Sequence, residues 1–143
     1  MPRIKIDMPL SFSFSTLIPV RITDINYGGH MGNDAILSLI HEARMQFLRS
    51  LDYTELDFGG VSLIMADVAI EFKKELFYGE TVQASVTAGD ISKLSFDLYY
   101  KLEKEVDGNW QTVALAKTGM VCYDYANKKV SVLPPEAKVK LSS

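Results

Sequence analysis

One cysteine and two histidines are the only thiol and imidazole groups in this 143-residue chain. A lone Cys122 excludes an intramolecular disulfide, and the three residues show none of the spacings of a zinc site. Cys122 lies in MVCYDY and reads as a small buried hydrophobe rather than a catalytic thiol. No apolar run reaches the ~18 residues of a membrane span, and MPRIKIDMPLSF lacks the apolar stretch of a secretory leader. The expectation is a cytoplasmic protein with no membrane partner and no cofactor. Positive charge is not in excess either: the net charge of −3 lacks the basic balance of a nucleic-acid binder.

What remains is a globular composition, 48% hydrophobic, at a length that buries roughly 70% of the unfolded surface in one domain. No internal repeat, linker or low-complexity segment interrupts it, so residues 1–143 read as a single domain with a loose leader over 1–10. SFSFSTLIPVRI (11–22) alternates like a strand turned at Pro19. From Asn33 or Asp34, either a fitting N-cap, Ile36, Leu39, Ile40, Ala43, Phe47, Leu48 and Leu51 recur at helical spacing. Ser38, Glu42, Arg49 and Asp52 fall on the other face, giving a helix of about 18 residues. Residues 61–76, 79–92, 93–106 and 109–125 read as strands rich in Val, Ile, Thr, Tyr and Phe, with turns at Tyr78-Gly79, Gly89-Asp90 and Asp107-Gly108. One further short strand follows before Pro134-Pro135, where regular structure is expected to end. The order predicts an α+β architecture, a curved antiparallel sheet of five to six strands wrapped round one long helix.

Between the first strand and the helix lies TDINYGGHMGND (23–34), with three glycines, two asparagines, two aspartates and a histidine. A polar, flexible run at a helix N-terminus sets backbone N–H groups and a partial positive charge beside whatever binds there. Val20-Arg21-Ile22-Thr23-Asp24-Ile25-Asn26-Tyr27-Gly28-Gly29-His30-Met31-Gly32-Asn33-Asp34, followed by His41-Glu42-Ala43-Arg44, resembles the 4-hydroxybenzoyl-CoA thioesterase family of hotdog-fold acyl-CoA thioesterases. That family reads V-R-aromatic-x-D-x-D-x-x-G-H-V-N-N-A and then E-A-R, and the spacing matches without a gap. VAIEFKKELFYGETVQASV and YDYANKKVSVLPPE resemble its later strands.

The resemblance implies a hotdog fold, a homodimer or homotetramer with sites at subunit interfaces, and an acyl-CoA or acyl-carrier-protein thioester as substrate. Coenzyme A would enter only as part of that substrate. The family's usual catalytic carboxylate falls on Asn26, which can hold a carbonyl or a water but cannot act as a base. Asp24 is then either the water-activating acid or a turn residue bonding local N–H groups, and Asp34 either an acid or a cap. Asn26 itself is a site contact or an Asx-turn. Tyr27, Gly29, His30, Gly32 and Asn33 are candidate substrate contacts, with Lys73, Lys74 and Lys93 as candidate partners of phosphate. His41, Glu42 and Arg44 read as solvated or interface residues, and Asp67 and Glu71 as strand-surface acids able to approach a partner subunit. Tyr27, Phe47, Tyr53, Phe58 and Phe77 either line an acyl channel or pack the core.

Two other functions fit the same residues. Without the family's acid, the domain could bind acyl-CoA or an acyl carrier protein without turnover. Asp24, Asn26 and His30 also resemble the D-x-N-P-x-H element of hotdog enoyl-CoA hydratases, though the proline is absent and the histidine stands one residue too far.

Overall fold

The computed structural model of the chain describes residues 3–143; Met1 and Pro2 lie outside the described residues. Six strands form one antiparallel sheet: β1 (Phe14–Pro19), β2 (Ser62–Phe72), β3 (Thr81–Gly89), β4 (Ser95–Val106), β5 (Asn109–Asp124) and β6 (Lys129–Val130). The order is β1-β3-β4-β5-β2, with β6 adding a short rung on β5, so β1 and β2 stand at the two edges. The long helix, α1 (Asn33–Ser50), lies in the concave face.

The period-2 pattern explains the core. Val82, Ala84 and Val86, then Phe96, Leu98, Tyr100 and Leu102, then Ala114, Ala116, Met120 and Cys122 all face the helix and are buried. The helix answers with Ile36, Leu39, Ile40, Ala43, Phe47 and Leu48. Burial of these side chains is the main stabilising term, at roughly 1.5–3 kcal/mol for each large one. The Asp107-Gly108 turn behaves as read: both residues have positive φ, 52° and 81°, the requirement of the hairpin joining β4 to β5.

Two bulges shape the β2 edge. Ala66 is the extra residue where the register with β5 slips between Met65 and Asp67. After it, Val68, Ile70 and Phe72 share the helix-side face. Val113 is the extra residue of β5 opposite β4, and its carbonyl accepts the N–H groups of both Lys73 (2.8 Å) and Lys74 (3.1 Å). That double bond stops β2 at Phe72, four residues before the expected end at 76.

Two further expectations are corrected. Pro134-Pro135 does not end regular structure: Pro135 starts α2 (Pro135–Leu141), because a proline at the first helical position loses no hydrogen bond and already holds helical φ. Ala137 and Leu141 of α2 are buried, and Lys140 Nζ bonds the Leu51 carbonyl at the end of α1. The leader, in turn, is not wholly loose. Ile6, Met8 and Pro9 are half-buried, and the Ile6 N–H donates to the Glu71 carboxylate on β2.

Candidate active site

The polar run folds into a tight hairpin-like loop. Ile25 bridges Met31, the Asn26 N–H donates to the His30 carbonyl (3.0 Å), and the Gly29 N–H donates to the Asn26 carbonyl (3.1 Å). Gly29 has φ +85°, a conformation glycine adopts without strain. The Asn26 Oδ1 accepts the Gly28 N–H at 2.8 Å, an Asx-turn. This leaves its Nδ2 donor free of that turn. The Met31 N–H donates to the Leu76 carbonyl, tying the loop to the chain just past β2.

The helix cap differs from expectation. Gly32 is the N-cap, Asn33 the first helical residue and Asp34 the second, and no side chain caps the first turn. Gly32 fits because the space a Cβ would fill is taken: that position is 2.7 Å from Asp34 Oδ1 and 3.5 Å from Asn26 Nδ2. The Asp34 carboxylate therefore folds back over the cap, beside the Asn26 amide. A Cβ on Gly28 would likewise meet Asn26 Oδ1 at 3.2 Å and His30 Nε2 at 3.4 Å. Asn26, Gly28, His30, Gly32 and Asp34 thus converge at the positive end of α1.

The His30 Nδ1 lies 3.2 Å from the Met31 carbonyl, an acceptor only, so Nδ1 carries the proton. Its Nε2 stands 3.8 Å from Glu75. Beside these groups a cleft of about 250 Å³ is lined by His30, Met31, Asn33, Ile36, Phe72, Lys73, Lys74, Glu75 and Leu76. It has an apolar wall, polar groups at the helix end and two lysines at the rim, the mixture of a small-ligand site.

Other candidates lie elsewhere. The Asp24 carboxylate turns onto its own short 3-10 turn, accepting the Arg21 N–H at 2.8 Å and pairing with the Arg21 guanidinium at 3.4 Å. Tyr27 projects fully exposed from the loop tip. Lys93 is exposed, and its carbonyl holds the Leu133 N–H. Phe47, Tyr53 and Phe58 are core residues: Phe14 meets Phe47 edge-on, Tyr53 lies tilted against Phe58, and Phe58 stacks on Phe96. Phe77 lies under Lys104. Asp67 faces the outer side of the sheet, where it accepts the Gly119 N–H and pairs with Lys117. Glu42 bonds Gln46.

Arg44 corrects the reading of a solvated helix face. It is 5% exposed, donates to Glu55 (2.7 Å) and to the Tyr100 hydroxyl (3.3 Å), and Tyr100 in turn shares a 2.7 Å bond with Thr118. His41 stands 3.4 Å from the same Glu55. Burial alone disfavours the Arg44 charge, but Tyr100 and Glu55 more than offset it and its pKa is raised. Burial pushes the Cys122 thiol up to about 11, which leaves it protonated and unreactive, as the sequence suggested.

Sequence reasoning missed Ile36, Phe72, Glu75 and Leu76 as walls of the cleft. Lys73-Lys74 was the one local signal, since it marks where β2 ends over the helix N-terminus.

Comparison with known proteins bears on the family and the fold. A protein of Aquifex aeolicus (strain VF5), provisionally named an esterase, is 28% identical over 97 residues, covering 66% of this chain and 71% of that protein. The crystal structure of a thioesterase-superfamily protein from Jannaschia sp. CCS1 superposes with a TM-score of 0.83 at 16% identity, over 94% of this chain and 84% of that one. A 1,4-dihydroxy-2-naphthoyl-CoA thioesterase from Synechocystis gives 0.81 at 21% identity, over 91% and 96%. The fold is the hotdog fold. The profile of the Thioesterase-like superfamily matches residues 20–141, and the chain belongs to that superfamily.

Proposed function

We propose that the protein hydrolyses acyl-CoA thioesters with water, giving the free acid and the coenzyme A thiol, with no cofactor of its own. The observation that carries this reading is the convergence of the Asp34 carboxylate and the Asn26 amide on a helix N-terminus that no side chain caps, beside a cleft with an apolar wall. In this reading the thioester carbonyl points at the first-turn N–H groups of α1, and the acyl group lies against Ile36, Phe72 and Leu76. Asp34 takes a proton from water, which attacks the carbonyl carbon. The negative charge forms on the carbonyl oxygen, where aligned N–H groups and the helix dipole stabilise it. Collapse breaks the C–S bond, and the departing thiolate recovers the proton from Asp34. Asn26, its Oδ1 engaged by Gly28, orients the water or the carbonyl through Nδ2.

Asp34 is preferred over Asp24 because the Asp24 carboxylate is bonded to the Arg21 N–H and turned onto its own loop. We further propose that two copies join along β2, an edge strand whose helix-side residues Met65, Val68 and Phe72 remain exposed. For the acyl group we propose a 4-hydroxybenzoyl-like aryl ring against the half-exposed Phe72; the Synechocystis thioesterase is named for an aryl-CoA.

The test is a free-thiol release assay on purified protein with short-chain, long-chain and aryl acyl-CoAs. Release from at least one supports the proposal. Saturable acyl-CoA binding with no release from any would replace it with a binding module.

A further inference from the structure

A second depression adjoins the cleft. Its volume is about 520 Å³, and it is lined by Arg3, Ile4, Lys5, Ile70, Glu71, Phe72 and Lys73. Phe72 and Lys73 are walls of both hollows, so the two adjoin at the end of β2. The N-terminal arm supplies one side of the second hollow. Arg3, Ile4 and Lys5 of the arm all line it, which sets two cations beside the end of β2. The Ile6 N–H to Glu71 bond holds the arm against β2. On the opposite side, the Val113 carbonyl fixes the backbone of Lys73 and Lys74.

Four cations, from segments some seventy residues apart in sequence, therefore line the proposed acyl cleft and the hollow adjoining it. The fixed anions among them are fewer. Glu71 is occupied by Ile6 and by Lys73 at 3.4 Å, while Glu75 faces His30. Lys74 has no salt-bridge partner among the described residues. An excess of clustered positive charge in a protein of net charge −3 is a local feature, not a consequence of composition.

We propose that the N-terminal arm is part of the substrate site: Arg3 and Lys5, with Lys73 and Lys74, bind the phosphates of the coenzyme A nucleotide while the thioester reaches the helix N-terminus. The inference rests on the acyl-CoA reading and adds to it a binding segment that precedes the superfamily match at residue 20. Arginine suits bidentate contact with phosphate, and lysine acts as a point charge.

The test is calorimetric binding of coenzyme A and of phosphate-free pantetheine to the wild type, to R3Q/K5Q and to K73Q/K74Q. Two phosphate contacts worth about a factor of three each predict roughly tenfold weaker coenzyme A binding for R3Q/K5Q. Pantetheine binding stays as in the wild type, and the gap between the proteins narrows as salt rises. Unchanged coenzyme A binding by R3Q/K5Q, equal weakening for both ligands, or no coenzyme A binding by the wild type would each overturn the inference. Thiol release by the wild type, measured separately, reports on hydrolysis alone, so a silent arm and a failed hydrolase are told apart.

Discussion

The carboxylate of Asp34 occupies the place beside Gly32 where any other residue would put its Cβ, 2.7 Å from Oδ1. The backbone at Gly32, φ −72° and ψ 161°, is one that alanine also adopts, so the glycine is required by its neighbour rather than by its own torsion. Gly32→Ala is expected to displace Asp34 and lower kcat at least tenfold. As an N-cap change it should cost only about 1 kcal/mol of stability. Paired kinetics and urea denaturation check this; a variant that loses stability and activity in proportion would point to a folding role alone.

Arg44 is the opposite case, a residue whose removal should unfold rather than inactivate. Arg44→Ala strands Glu55 and Tyr100 around a cavity and is expected to destabilise by about 3 kcal/mol. Arg44→Met with Glu55→Gln, which fills the space and removes the orphaned charge, should recover most of that loss. Denaturant midpoints of the three variants decide it.

Proton chemistry at Cys122 gives a third test. With the thiol pushed up to about 11, the folded chain keeps a proton that the unfolded chain releases between its ordinary value and 11. Folding therefore binds the proton, and this residue's contribution to stability falls as pH rises through that window. A thiol reagent at pH 8 should label Cys122 only after denaturation, and fast labelling of the native protein would contradict its burial.

At the arm, the Ile6 N–H, followed by Lys73, holds the Glu71 carboxyl below its ordinary range. A depressed carboxyl stabilises docking above its unfolded pKa and loses that contribution as pH falls through the folded value. The Ile6 amide resonance should titrate with a midpoint below that of an ordinary glutamate, and in Glu71→Gln it should not titrate in that range.

The β2 edge carries the assembly claim. Val68→Lys places a charge on the exposed face proposed to be covered by a second copy. Light scattering should then show a shift towards monomer, with loss of turnover; an unchanged mass would remove β2 as the interface.

The parts legible in the sequence are those fixed by local rules. The helix from Asn33 follows from three- and four-residue spacing, and the β4–β5 hairpin from Asp107-Gly108. Arg44 was illegible because its partners Glu55 and Tyr100, and Thr118 behind Tyr100, come from three other segments. The α2 helix was missed because a proline pair was read as a terminator, whereas a proline at the first helical position is favourable. The cleft shows the same limit. The loop beside it, Asn26 to Asp34, is contiguous and contributes His30, Met31 and Asn33, but Phe72 and Leu76 reach it only because β2 is the edge strand ending above the helix N-terminus.

The most direct measurement is kcat for Asp34→Asn and Asp24→Asn on whichever acyl-CoA the wild type turns over fastest. Loss of a general base predicts a fall of about 100-fold or more for Asp34→Asn. Asp24→Asn, whose carboxylate bonds Arg21 on its own short turn, should stay within about threefold and lose a little stability. Collapse of Asp24→Asn with Asp34→Asn intact, or no thiol release by the wild type at all, would contradict the placing of the chemistry at the N-terminus of α1.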